Sequence, residues 1–361
     1  MSHPHRRPAE TELLAPERHG DADAEAGVLD FAVNVQPGPP GFVRTALAAR
    51  LDQLAAYPSR TDERRAVGAA AARHGRRPEE VLLLDGAAEG FELLARLAPR
   101  HVALIEPSFT EPGRVLRATG ARISTVVLPA PWHLDAELVP ADADLVVLGN
   151  PTNPTSVLHP AEQIRRLCRP GRLVVVDEAF ADLTADPVTG RREPESLAAA
   201  LPDGVIVIRS LTKTFGLAGL RIGYLLAAPA VIARLSAGRR HWPLGTLALA
   251  GLTACLSEEG DRYTAALAER LAVDRGRLLA ALAETDIEVC APPHGPYVLI
   301  RVPDGLGVKA ALRDRGLGVR SCANFTGLST DHLRVAVRSE AETATLIAGL
   351  RDVLTSTPGP S

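Results

Sequence analysis

The sequence of 361 residues predicts a mixed α/β protein, with a large domain on a mostly parallel sheet and a smaller α+β domain after it. Three observations lead there. Short apolar runs alternate with helical periods from about residue 62 to 235. Those runs are continuous rather than alternating, as in strands buried on both faces. After about 236 the order changes to two long helical patterns followed by short strands and helices, so a second core is expected.

Residues 1–26 are rich in His, Pro, Arg, Glu and Ala without a period and read as a disordered tail. Order is expected from Val28-Leu-Asp-Phe-Ala-Val33. Asn34-Val-Gln-Pro-Gly-Pro-Pro40 is turn-rich, so 27–40 form an N-terminal arm. Residues 41–55 predict a helix from Phe42, Val43, Ala46, Leu47 and Leu51, and Tyr57-Pro58 stops it. In the large domain, placed at 41–235, strands are predicted at Val81 to Leu84, Val102 to Ile105, Ile123 to Leu128, Leu145 to Leu148, Leu173 to Val176, Val205 to Ile208 and Ile222 to Leu226. Helices are predicted at 87–97, 110–119, 160–168 and 194–201. The smaller domain, 236–361, carries helical patterns at 245–257, 260–284, 307–314 and 340–354. Its strand patterns lie at 286–289, 297–302, 317–320 and 333–337, and the chain end reads as frayed.

The chain is 46% hydrophobic and 23% charged, enough for one large core and a smaller one. A net charge of −3 gives no electrostatic footprint for nucleic acid or an anionic membrane. The four cysteines, Cys168, Cys255, Cys290 and Cys322, are scattered without a CxxC pair and read as free thiols in a reducing compartment. No apolar run reaches the roughly 18 residues of a membrane span, and the N-terminus lacks an apolar signal core, so a cytoplasmic protein is expected. No metal site and no internal repeat is expected. No G-x-x-x-x-G-K-[ST] or G-x-G-x-x-G follows a predicted strand, which sets aside a P-loop or dinucleotide protein.

The chemistry gathers at predicted strand ends, where open α/β sheets place their sites. Ser210-Leu-Thr-Lys-Thr-Phe-Gly-Leu-Ala-Gly-Leu-Arg-Ile-Gly-Tyr224 puts Lys213 on a loop between two apolar strands. Lys213 could bond covalently to an aldehyde cofactor, while Arg221 and the hydroxyls of Ser210 and Thr212 hold its phosphate. The competing reading is an ordinary surface lysine. Asp85-Gly-Ala-Ala-Glu-Gly90 opens a helix whose amides can bind phosphate, or is a plain turn. Glu106-Pro-Ser-Phe109 offers an aromatic for a flat ring, or for packing. Asn150-Pro-Thr-Asn-Pro-Thr-Ser156 presents amide side chains on a doubled turn. Val174-Val-Val-Asp-Glu-Ala-Phe180 ends a buried strand in a carboxylate; a pyridinium nitrogen would be a fitting partner, and a helix cap is the alternative.

Taken in this order, the motifs resemble those of fold-type-I pyridoxal-phosphate enzymes, the class I/II aminotransferase group, over about residues 28–355. The resemblance is nearest to the branch of histidinol-phosphate aminotransferases and threonine-phosphate decarboxylases. It implies the PLP-dependent transferase fold, with a mostly parallel sheet of the seven-stranded type, and pyridoxal 5'-phosphate as cofactor. By the same resemblance Lys213 is the catalytic lysine that holds the cofactor, and Asp177 faces the ring nitrogen. Asn153 meets the ring hydroxyl, Phe109 stacks on the ring, and the amides of Ala87 and Ala88 meet the phosphate with Ser210, Thr212 and Arg221. Tyr57 reaches the phosphate of a second copy, which implies a homodimer. Arg334 grips the substrate carboxylate, bidentate geometry favouring arginine there. Asn34 falls at the first Asn of an N-terminal Asn-x-Asn-Pro signature and joins the substrate residues.

Several positions depart from the family pattern. Ser156 replaces a glycine, Ala88 a hydroxyl residue, Phe180 a tyrosine and Gln36 the second Asn of the arm signature. The stretch Gly318-Val-Arg-Ser-Cys-Ala-Asn-Phe-Thr-Gly-Leu328 with Leu333-Arg-Val-Ala-Val-Arg338, together with Phe180, looks more like the decarboxylases. Arg320 is then expected to bind a phosphate on the amino acid substrate. The expected activity is decarboxylation of a phosphorylated amino acid, as in corrinoid (cobalamin) synthesis. The alternatives are transamination of the histidinol-phosphate type and a non-catalytic binding protein on the same fold.

Overall fold

The structure, a computed structural model, describes residues 27–356 except residue 187. The tail expected at 1–26 and the frayed end expected after 356 lie outside the described residues. In chain order the elements are β1 (Leu29–Asp30), α1 (Gly41–Ala48), α2 (Arg60–Arg73), β2 (Val81–Asp85), α3 (Gly86–Leu93), β3 (His101–Glu106), α4 (Glu111–Arg117), β4 (Arg122–Val127), β5 (Leu145–Gly149), α5 (Ala161–Arg165), β6 (Leu173–Asp177), β7 (Val205–Ser210), β8 (Ile222–Leu226) and α6 (Pro229–Ser236). There follow α7 (Thr246–Cys255), α8 (Glu258–Ala283), β9 (Glu288–Val289), β10 (Tyr297–Arg301), α9 (Gly305–Asp314), β11 (Leu317–Gly318), β12 (Arg320–Ser321), β13 (His332–Ala336) and α10 (Glu340–Ser356).

Seven strands pair in the order β2-β8-β7-β6-β5-β3-β4, with β8 antiparallel to both of its neighbours and the other pairs parallel. Successive side chains along a strand enter two different buried layers, because a strand repeats every two residues. Val146, Leu148, Val174, Val176, Val205 and Val207 join one layer, while Leu145, Val147, Val175, Ile206 and Ile208 join the other. Both faces are covered, which is why these strands read as unbroken apolar runs.

The second sheet is antiparallel, in the order β12-β13-β10-β9. Leu267, Leu271, Leu278 and Leu282 of α8 pack with Leu312, Leu346 and Leu350 over its inner face. The N-terminal arm belongs to this body: β1 pairs in parallel with β11, and Phe31 is fully buried in the second core. Arg338 secures the arm by donating to the carbonyls of Asp30 and Val33 at 2.9 and 2.6 Å.

The structure alters several local expectations. Helix α2 was not expected; its buried face is Ala66, Ala70 and Ala71, so no large apolar residue marked the period, although Ser59 caps it by accepting from the Asp62 amide at 3.0 Å. The helix expected at 194–201 does not form. Ser196 donates to Glu178 and accepts from the Ala198 amide, and such local bonds compete with helix. Helix α7 packs on α1 and α2, and its Leu249 and Leu252 lie in the large core. The chain therefore changes cores at α8, after the expected boundary at 236. Among the described residues no helix is long and apolar enough to cross a membrane.

Candidate active site

Lys213 follows β7 on a tight turn in which Phe215 N–H donates to Leu211 C=O at 3.2 Å and Leu217 N–H to Thr212 C=O at 3.0 Å. Ser210, Thr212 and Thr214 are buried, whereas Lys213 is only partly so. The Lys213 Nζ lies 3.3 Å from Thr212 Oγ1, and Ser210 Oγ lies 2.8 Å from Thr212 Oγ1. Burial lowers the Lys213 ammonium below the usual lysine range; the Asp177 carboxylate opposes this, and Arg221 and Arg334 reinforce it. Asp177, Arg221 and Arg334 are thus each within electrostatic reach of Lys213.

Asp177 ends β6. Burial pushes its carboxyl up to about 6, against the Ala179 N–H (3.1 Å to Oδ1) and the Lys213 charge. A cation beside this carboxylate would reverse that cost. Asn153 follows β5 and accepts a hydrogen bond from Arg334 on β13, which joins the two sheets across the cleft. Asn150, by contrast, is a structural residue of the same turn: its side chain donates to His159 C=O and accepts the His159 N–H.

Helix α3 opens with its amides uncapped by any side chain, which leaves Ala87 and Ala88 at the positive end of the helix dipole. Gly86 sits at φ +75, and a Cβ there would come within 2.5 Å of Arg221 Nη2. Gly223 on β8 allows a second close approach, since its Cβ would lie 3.1 Å from the Ala87 nitrogen. Phe109 packs against Phe91, with ring centroids 6.2 Å apart. Its turn is held by Glu106, whose carboxylate accepts the Ser108 N–H at 2.6 Å.

The arm and the second sheet bring Arg334, Arg320 and Asn34 to the other side of these residues. Arg334 donates to Ala32 C=O at 2.5 Å and stacks 5.3 Å above the Tyr297 ring. Arg320 is the direct cross-strand partner of Arg334; it donates to Asn324 Oδ1 at 2.9 Å and lies 5.6 Å from the Phe325 ring centre. Asn34 is buried, and its Oδ1 has no hydrogen-bond partner among the described residues. The arm then reaches the lysine turn, where Gln36 N–H donates to Lys213 C=O at 3.0 Å.

Tyr57 lies apart from this cleft within one chain. It is 76% exposed and stacks on Trp242 with ring centres 4.3 Å apart. The stretch before Trp242 borders the turn that opens α3, with Arg240 paired to Asp85 at 2.8 Å and Arg239 to Glu89 at 2.6 Å. One residue escaped the sequence reading. Tyr297, fully buried, supports Arg334 from below and donates to Thr152 C=O at 3.2 Å; an aromatic on a strand reads as core. Ser156 occupies φ +65, where glycine is favoured, and its hydroxyl accepts the Gly295 N–H at 2.8 Å.

The donor set fits pyridoxal 5'-phosphate. Arg221 lies at the opening of α3, because a Cβ on Gly86 would meet its Nη2, and β8 passes the Ala87 nitrogen at Gly223, the strand partner of Ser210; Asp177 and Lys213 are within electrostatic reach of each other.

Comparison with known proteins gives the family. The description "Aminotransferase class I and II" matches residues 26–350. A histidinol-phosphate aminotransferase of Mycobacterium tuberculosis is 51% identical over 330 residues, 91% of this chain and 88% of that protein. The threonine-phosphate decarboxylase of Salmonella typhimurium is 31% identical over 344 residues, 91% of this chain and 92% of that protein. The crystal structure of a histidinol-phosphate aminotransferase from Sinorhizobium meliloti, in complex with pyridoxal-5'-phosphate, superposes with a TM-score of 0.76 at 23% identity, covering 88% of each chain. These findings correct the expected activity. The decarboxylase reading rested on local likeness around 318–338 and on Phe180, whereas the 51% relative carries the aminotransferase name along nearly its whole length. This chain belongs to the class I and II aminotransferases, enzymes that depend on pyridoxal 5'-phosphate.

Proposed function

We propose that this protein is an aminotransferase of the histidinol-phosphate type, acting on a phosphorylated amine and an amino acid partner as a cytoplasmic homodimer. The relative at 51% identity carries this reading, and the buried pair Arg320 and Arg334 supports it. When bound, pyridoxal phosphate supplies an aldehyde for the amino group and a ring that accepts negative charge from Cα. The remaining roles belong to the chain. The Asp177 carboxylate would pair with the ring nitrogen and favour its protonated form. Lys213, whose burial favours the neutral amine, takes the proton from Cα and returns it on the other side of the exchange. Arg334 and Arg320 hold the anionic end, so that the Cα–H bond faces Lys213. Asn34 lends its carbonyl oxygen to the bound substrate. Tyr57, exposed beside the phosphate turn, completes the phosphate site of a second copy.

The test is to supply the holoenzyme with glutamate and the keto phosphate that corresponds to histidinol phosphate. Formation of 2-oxoglutarate and histidinol phosphate in equal amounts is the expected result. Release of one CO₂ per turnover from O-phospho-threonine, with no amino transfer, would overturn the reading.

A further inference from the structure

A cluster of buried charge lies behind the cofactor site. Arg209, 3% exposed, pairs with Glu178 at 2.8 Å and with Glu193 at 2.5 Å, and donates to Ser196 Oγ at 2.8 Å. Glu178 directly follows Asp177, and Arg209 lies four residues before Lys213, so the cluster anchors both strand ends. The two chain extensions are joined first through backbone, with Glu178 N–H donating to Ile208 C=O at 2.9 Å. They are joined again further out. Thr214, fully buried beside Lys213, donates its hydroxyl to Asp182 Oδ2 at 2.7 Å, and Asp182 lies on the short turn five residues beyond Asp177.

Packing alone does not account for Asp182. It is 8% exposed, and its Oδ1 has no hydrogen-bond partner among the described residues. Asp182 lines a small hollow together with polar Arg73, Arg209 and Thr264 and apolar Leu211, Phe215 and Leu256. A buried carboxylate with one orphaned oxygen is costly where an apolar side chain would fill the space. We propose that Asp182 is a positioning residue for the cofactor lysine: by accepting the Thr214 hydroxyl it locks the Lys213 turn to the β6 extension that carries Asp177, and so sets how Lys213 Nζ meets the cofactor ring. Burial pushes the Asp182 carboxyl up to about 6, with Arg209 and Arg73 opposing and Glu193 reinforcing. The Thr214 hydroxyl remains its donor through that range. The inference rests on the reading of Lys213 and Asp177 as cofactor residues.

The experiment uses full-length holoenzyme and three readouts: cofactor dissociation constant, pH midpoint of the absorbance of the lysine-held cofactor, and melting temperature of the cofactor-free form. Thr214→Val should weaken cofactor binding about tenfold, as for loss of one hydrogen bond to a charged group. It should also move the pH midpoint by about half a unit or more. Thr214→Ser, which keeps the hydroxyl, should restore both, and Asp182→Ala should reproduce the valine variant. If the valine variant does not fold, Thr214→Ala deletes the hydroxyl without adding bulk and is read in the same way. A lower melting temperature with unchanged midpoint and affinity would reduce the contact to fold stability and overturn the proposal. Lys213→Ala, run alongside, separates the two ideas, because covalent cofactor persisting in that variant would refute the cofactor reading itself.

Discussion

Arg320 and Arg334 stand directly opposite each other on β12 and β13, 2% and 5% exposed, with both guanidinium groups beside aromatic rings. Like charges facing across a strand pair repel, and burial removes the water that would screen them. An anion between them converts that cost into binding. Under the proposed function, such a pair suits a site for a strongly anionic substrate group.

Truncating the two arginines should give different substrate patterns. Arg334→Ala, which also leaves Asn153 without its donor, should lower kcat/KM for every substrate by roughly 2–5 kcal/mol, as for breaking one side of a buried charged contact. Arg320→Ala should cost the phosphorylated substrate a similar amount and spare the unphosphorylated amino acid. Equal losses of the Arg320 variant on both substrates in steady-state kinetics would contradict the division.

Lys213→Ala should purify without the yellow colour of lysine-held cofactor, and borohydride treatment should leave no cofactor on the chain. Circular dichroism should match that of the parent, since Lys213 is only partly buried and its turn is held by backbone bonds.

Asp177 gives a pH prediction for the cofactor-free protein. Its folded pKa is raised to about 6 by burial, above the unfolded value, so the folded state holds the extra proton. This contribution to stability is complete at low pH and is lost as pH rises from about 4 to about 6. Asp177→Asn should remove that part of the loss and stabilise the cofactor-free form at pH 7 by about 1–3 kcal/mol, while cofactor affinity falls. Denaturant melts of both forms at pH 4.5 and pH 7 check the sign.

Gly86→Ala should harm the phosphate site by two routes. The residue sits at φ +75, which costs an L-residue about 1–2 kcal/mol, and the new Cβ would displace the Arg221 guanidinium. Titration of the cofactor-free protein should show weaker binding than the loss of stability alone explains.

Tyr57 and Trp242 form an exposed aromatic stack, with Leu51 and Leu54 also more than half exposed on the preceding turn. Exposed apolar residues so grouped mark contact surfaces. Trp242→Ala should shift sedimentation toward monomer at low protein concentration and release cofactor in step. Tyr57→Phe should keep the oligomer and weaken cofactor retention by roughly 1.5–3 kcal/mol. A monomer with full activity would refute the shared site.

Fold class and the candidate residues at the strand ends were legible in the local pattern. Parallel strands buried on both faces must be apolar throughout, so β5, β6 and β7 announced themselves, and the motifs at their ends named Asn153, Asp177 and Lys213. Local pattern failed where burial used small residues, as in α2 with its alanine face, or where side chains took over backbone bonding, as at Ser196. It also misjudged the reaction, because a dozen residues around Arg320 weighed more than the whole chain's likeness to an aminotransferase. Which distant residues meet was left to long-range packing. The arm at 29–36 lies on the second sheet and reaches the Lys213 turn, Arg334 crosses to Asn153, and Asp182 holds Thr214. Such contacts join residues up to about three hundred positions apart, and no local period records them, because they arise from how two separately patterned cores close around one cleft.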